Sequence, residues 1–180
     1  MLIALRSLVF SLGSLVALSA CSVTTGPPPV APDSQRGMGE KNAAVGGTNL
    51  LVRSGLNQQL CVDAAADRAA DGTLVQLANC HGRENQRWVF SDQPGGQIVI
   101  TGIGGLCLDV RGRKAGDGTP LQLWQCANQP NQKFRHESDG RIREVQTGKC
   151  LTVGSLASKT PLTIDECDRN NGGQVWVISQ

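Results

Sequence analysis

Two stretches of this chain lie one over the other without a gap. CVDAAADRAADGTLVQLANCHGRENQRWVF begins at Cys61 and CLDVRGRKAGDGTPLQLWQCANQPNQKFRH begins at Cys107, an offset of 46 residues. Cys, Asp, Asp-Gly-Thr, Gln-Leu, Cys and Asn-Gln coincide between them. A third copy, CLTVGSLASKTPLTIDECDRNNGGQVWV, starts at Cys150 and keeps the frame with a slightly shorter loop. Each copy holds a cysteine pair and closes on Gln-x-aromatic: Gln86-Arg87-Trp88, Gln132-Lys133-Phe134 and Gln174-Val175-Trp176. Units of this size cannot bury a core alone, so the three must share one. The repeats run over about 48–92, 93–136 and 137–180.

The strand pattern inside each unit sorts its side chains. Gly is abundant, apolar runs are short and punctuated by turn signals, and no useful helical period is present, which predicts an all-β domain. In PLQLWQC, Leu121 and Leu123 share one face of a strand while Gln122 and Trp124 share the other. The apolar face recurs as Val75 and Leu77, and as Leu162 and Ile164, so it points into the core. The last residue of Gln-x-aromatic is always aromatic and is assigned to the core as well. The position two before the second cysteine reads Ala78, Trp124 and Asp165. Burying an unpaired Asp where a Trp fits would cost several kcal/mol, so this position faces outward.

The ends of the chain differ from the repeats. Residues 1–20 contain Arg6 and then the apolar run LVFSLGSLVALSA, which reads as an export signal and is too short for a secure membrane span. Its last residues and the next one, Leu18-Ser19-Ala20-Cys21, resemble the bacterial lipobox, which implies lipidation of Cys21 and anchoring of the chain to a membrane. Ser22 after the cysteine implies sorting to the outer membrane where a cell has two. Residues 21–47 begin with that cysteine and continue as a Pro- and Gly-rich tether. Of seven cysteines, six then remain, at 61, 80, 107, 126, 150 and 167. Export permits disulfides among them, fifteen pairings are formally open, and no C-x-x-C spacing suggests a metal.

With three Gln-x-aromatic endings and three cysteine pairs in register, residues 48–180 resemble the ricin B-type lectin β-trefoil. The resemblance implies twelve strands with pseudo-threefold symmetry, a six-stranded barrel capped by hairpins. It also implies one disulfide per repeat: Cys61–Cys80, Cys107–Cys126 and Cys150–Cys167. A sugar site, with carbohydrate as partner, is implied in the middle repeat. There Asp109 accepts from a hydroxyl, Asn131 is its amide partner, Trp124 stacks on the ring, and Gln122 and Gln132 complete the network. A small sugar pocket needs such a set, one exposed ring and a few fixed polar groups. The first repeat keeps Asp63, Gln76, Asn85 and Gln86 but has Ala78 in place of the ring, which leaves open a weaker second site. The third has Thr152, Thr163, Asp165 and Gly173 at these positions and is expected not to bind.

Other chemistry finds little support. There is no G-x-S-x-G, H-E-x-x-H or Walker loop, no cofactor or metal is expected, and the chain is read as a binder and not an enzyme. His81 and His136 are single and are assigned to loops. The net charge of +2 gives no reason to expect nucleic acid, and Arg111-Gly112-Arg113-Lys114 reads as a solvated loop, with anionic glycans or lipid headgroups as the alternative it could touch. TGIGG at 101–105 has no helix after it and makes a poor phosphate cradle. An alternative to a lectin is a protein-interaction or host-cell-binding subunit, for which the lipidated ricin-like subunits of cytolethal distending toxins are a precedent. Those carry larger aromatic patches than this aromatic-poor chain can build.

Overall fold

The computed structural model describes residues 46–180. The export segment, Cys21 and nearly all of the tether lie outside the described residues. The first lobe contains β1 (Gly47–Ser54), β2 (Leu60–Ala64), β3 (Val75–Asn79) and β4 (Trp88–Gln93). The second contains β5 (Gln97–Thr101), β6 (Cys107–Val110), β7 (Thr119–Trp124) and β8 (Phe134–His136). The third contains β9 (Ile142–Glu144), β10 (Cys150–Val153), β11 (Thr160–Asp165) and β12 (Trp176–Ser179). Single 3-10 turns are the only helical elements among the described residues, and none is long and apolar enough to cross a membrane. Strand β1 already pairs at Gly47, with Phe90, so the domain takes in the last residue assigned to the tether.

The outer strands of the lobes join into a ring. Antiparallel pairs run β1–β4, β4–β5, β5–β8, β8–β9 and β12–β1. The bridge Arg141↔Val175 and the Trp176 N–H donating to Gly140 O at 2.9 Å close the six-stranded barrel. The inner strands form three hairpins, β2–β3, β6–β7 and β10–β11, that cap one end. The hairpins hold one another by equivalent bonds: Gly72 N–H to Leu123 O at 2.9 Å, Gly118 N–H to Ile164 O at 3.1 Å, and Lys159 N–H to Leu77 O at 2.7 Å.

Those bonds explain Asp-Gly-Thr. Gly72 and Gly118 have φ of +81° and +73°, a left-handed geometry that glycine adopts without steric cost. The preceding carboxylates then reach the next hairpin: Asp71 Oδ1 accepts from Gln125 N–H at 2.7 Å, and Asp117 Oδ1 from Glu166 N–H at 3.0 Å. The third copy has Ser158-Lys159-Thr160 and keeps the backbone bond, with Lys159 at φ +68°. TGIGG also has a packing reason. A Cβ on Gly102 would stand 2.8 Å from Cζ3 of Trp88, so only glycine lets the indole approach.

The core fills as the repeat predicts. Val75, Leu77, Leu121, Leu123, Leu162 and Ile164 are fully buried, together with Trp88, Phe134 and Trp176. Both tryptophans also satisfy a backbone carbonyl, Trp88 Nε1 donating to Val62 O and Trp176 Nε1 to Leu151 O. The three disulfides form within their repeats, Cys61–Cys80, Cys107–Cys126 and Cys150–Cys167. Each closes a short loop and contributes about 3 kcal/mol in the chain-entropy account.

The glutamine of Gln-x-aromatic is a buried clamp in every lobe. Gln174 Oε1 accepts from Asp168 N–H at 2.8 Å, while its Nε2 donates to Glu166 O at 2.8 Å and to Thr152 Oγ1 at 3.0 Å. Gln86 and Gln132 make the matching backbone bonds, to His81 N–H and Asn79 O, and to Ala127 N–H and Gln125 O. Truncating such a residue strands a buried donor and acceptor, each costing about 1–3 kcal/mol. Gln174→Ala is therefore expected to lower unfolding stability by about 3 kcal/mol in a urea titration with the disulfides intact.

Candidate functional site

Strand pairing brings the predicted polar residues of the middle lobe together. In the β6–β7 hairpin Asp109 lies opposite Gln122 and Cys107 opposite Trp124. The 3-10 turn Pro130–Gln132 then delivers Asn131 and Gln132 to the same spot. Asp109 Oδ1 accepts from Gln122 Nε2 at 3.0 Å. Its Oδ2 accepts from Asn131 Nδ2 at 2.8 Å and Gln132 Nε2 at 2.9 Å. Asn131 Nδ2 is shared with Val110 O at 3.2 Å, which fixes the amide orientation and leaves its Oδ1 without a partner in the protein. Three amide N–H groups thus hold a carboxylate that is 5% exposed, and Oδ1 of Asp109, with a single donor, keeps acceptor capacity.

Trp124 stands beside this network. It is 44% exposed, against 1% for Trp88 and 2% for Trp176. Asp109, Gln122, Trp124, Asn131 and Gln132 all line one cleft of about 540 Å³. Gly72 of the first lobe, Ala127, Gln129 and the turn Arg111-Gly112-Arg113 complete its walls. The arginine turn is exposed, as expected of a solvated loop, and its first three residues also line the cleft. A left-handed Gly112, at φ +65°, two residues after the strand that carries Asp109 turns the chain back beside the pocket.

The first lobe builds the same network with an imidazole beside it. Asp63 lies opposite Gln76 and accepts from Gln76, Asn85 and Gln86, at 3.0, 2.8 and 3.0 Å. At the position of Ala127, however, stands His81, whose Nε2 lies 3.6 Å from Asp63 Oδ2. Its Nδ1 accepts from Arg83 N–H, so Nε2 is the protonated nitrogen of the neutral ring. Arg83 also pairs with Asp67 at 3.7 Å, linking the positions of Gln129 and Arg113. With Ala78 in place of the indole, this lobe has the polar groups, no platform and an imidazole over the carboxylate.

The third lobe spends the equivalent residues on structure. Thr152, opposite Thr163, gives its hydroxyl to Cys150 O at 2.8 Å and accepts from the Gln174 clamp. Asp165 accepts from Gly118 N–H at 2.9 Å and from Thr163 Oγ1 at 2.6 Å, which ties the third hairpin to the second. At Gly173 a Cβ would meet Val153 O at 2.4 Å, so no asparagine fits there without a backbone shift.

An ion-pair cluster away from the cleft joins the second and third lobes. Asp117 and Glu166 both bind the Lys149 ammonium, and Asp117 is held below the usual carboxylate range chiefly by that bond. His136 lies in β8 and not in a loop, as Ile142 pairs with it across the strands; burial pushes its pKa down and keeps it neutral. Among the described residues no group of His, Cys, Asp or Glu is placed to hold a metal ion.

Comparison with known proteins agrees with this fold. No curated protein matches the chain in sequence. Among solved structures, the designed threefold-symmetric protein ThreeFoil superposes with a TM-score of 0.69 at 20% identity, covering 73% of this chain and 99% of its own. An exo-beta-1,3-galactanase from Clostridium thermocellum gives 0.65 at 20% identity, covering 72% of this chain and 29% of the enzyme. A non-toxic homologue of type II RIPs from Momordica charantia, in complex with alpha-methyl-D-galactoside, gives 0.59 at 27% identity, over 73% of this chain and 46% of that one. This chain thus spans less than half of each of the two natural proteins. The profile of the ricin-type beta-trefoil lectin domain matches residues 48–176. The chain belongs to the ricin-type β-trefoil lectin family.

Proposed function

We propose that this chain is a non-catalytic, carbohydrate-binding lipoprotein whose main sugar pocket is the middle-lobe cleft. The observation that carries the reading is the exposed Trp124 indole beside a carboxylate prearranged by three amides. A pyranose offers hydroxyls that need directional partners and a patch of C–H bonds that lies well on an aromatic face. Asp109 Oδ1 serves as acceptor for a ring hydroxyl, Asn131 stands beside it, and Trp124 is the platform. Gln132 acts from behind, since its amide is committed to the backbone clamp. The galactoside bound by the Momordica charantia relative supports galactose-like or related sugars as ligands. The first lobe contributes a weaker site only if His81 moves aside, and the third contributes none.

The proposal includes the segment before the domain. Cys21 carries the lipid, residues 22–46 tether the trefoil, and the anchor places it on the outer membrane of a two-membrane cell. A single pocket of this kind binds a monosaccharide with a dissociation constant on the order of millimolar, about 4 kcal/mol. Many copies on one surface raise the avidity for a repeating glycan.

Three outcomes check this reading. Trp124→Ala in the full chain should abolish monosaccharide binding while the melting temperature stays within a few degrees, because the indole is exposed; a fixed partner that co-purifies with this variant unchanged would favour the interaction-subunit reading instead. Asp109→Asn turns one oxygen into a donor against amide donors, and should weaken binding at least about tenfold and cost about 2 kcal/mol of stability. Cys21→Ser should release the protein from membranes and end its labelling by radioactive palmitate.

A further inference from the structure

The cleft has a second set of groups that the hydroxyl network leaves unused. Arg111 and Arg113 line it from the turn that follows β6, on either side of the left-handed Gly112. Neither guanidinium takes part in an ion pair or side-chain hydrogen bond among the described residues, where the other lobes' rim charges do: Asp67 pairs with Arg83, and Asp165 with Gly118 N–H. The carboxylates nearby form no ion pair with either arginine. Asp109 is held by three amides, and Asp71, next to the lining Gly72, accepts from Gln125 N–H. Two unpaired cations therefore share a concave site with an exposed ring.

The pairing is particular to this lobe. Ala65, Ala66 and Asp67 stand at the matching positions of the first lobe, and Gly154, Ser155 and Leu156 in the third. The net charge is only +2, so any selectivity for an anion has to come from local placement of charge and not from the chain as a whole. A guanidinium presents a planar fork of donors that matches carboxylate and sulfate oxygens, and it keeps its charge at any physiological pH.

We propose that the middle cleft selects saccharides carrying an anionic substituent, a uronate carboxylate or a sulfate ester, which Arg111 and Arg113 hold while Trp124 supports the sugar ring. This rests on the reading of the cleft as a sugar site and names the class of sugar it takes. The natural ligand is then an acidic polysaccharide, in which charged residues recur along the chain and engage many anchored copies.

Titration of the full chain in a neutral detergent, followed by tryptophan emission, tests this with matched sugars: galactose, glucose and mannose, their uronates and their 6-sulfates. The expected result is that at least one uronate or sulfate binds about tenfold tighter than its neutral parent. Raising salt from about 0.01 M to about 1 M, which shortens the screening length from about 30 Å to about 3 Å, should shrink that ratio. In Arg111→Gln/Arg113→Gln the ratio should fall to about one. A response to uronates alone, or to sulfates alone, names the group. Equal binding of every acid and its parent overturns the charge selectivity and leaves the sugar site standing. No response to any sugar overturns both.

Discussion

A buried glutamine amide, once in each lobe, ties the fold and the pocket together. Its oxygen takes a backbone N–H from the loop after the hairpin, and its nitrogen gives to a carbonyl at the end of β3 or just beyond β7 or β11. The next residue but one drops an aromatic ring into the shared core. Polar and apolar halves of one short motif thus pin the loop above and fill the space below. Because the glutamine nitrogen has a second hydrogen, it also reaches the side chain opposite, Asp63, Asp109 or Thr152. The residue at the centre of each candidate pocket is therefore oriented by the same group that closes the lobe.

The three lobes show how one scaffold supports three outcomes. Where the central residue is Asp109 and its neighbours are Ala127 and Trp124, the network opens into a cleft. Where His81 replaces that alanine, an imidazole lies over the carboxylate. Where a threonine replaces the aspartate, the clamp still finds an oxygen, so stability is kept while the charge is lost. Divergence at the outward positions costs little because the inward ones carry the core. Asp165 illustrates the point: released from a binding role, its carboxylate joins two hairpins.

Much of this was legible in the residues. Comparing the repeats separated Trp88, Phe134 and Trp176, which every lobe demands, from Trp124, which a single lobe has. Alternation in β7 then put the indole outside. Asp109 and Gln122 were brought together by the family resemblance, the hairpin register shows them opposite each other, and Asn-Gln recurs at one spacing in the first two lobes. Less legible were groups defined by a chain reversal. Arg111 and Arg113 resemble any basic loop until the turn at Gly112 places them on the cleft wall. His81 resembles a loop histidine until its ring is found beside Asp63, and Gly173 until the approach of Val153 O is seen.

Periodicity and composition by themselves determined the threefold β architecture, the inward face of each strand, and the exposure of one tryptophan. These are properties of local alternation and of what a small repeat must bury. The state of each pocket was decided by tertiary structure alone: a cleft with an exposed ring in the middle lobe, an imidazole beside the carboxylate in the first, and residues consumed by hairpin contacts in the third. The reason is that access depends on side chains from separate loops, and on backbone from a neighbouring lobe, converging within a few ångströms. Sequence spacing records which residues exist for that purpose but not how far apart they come to rest.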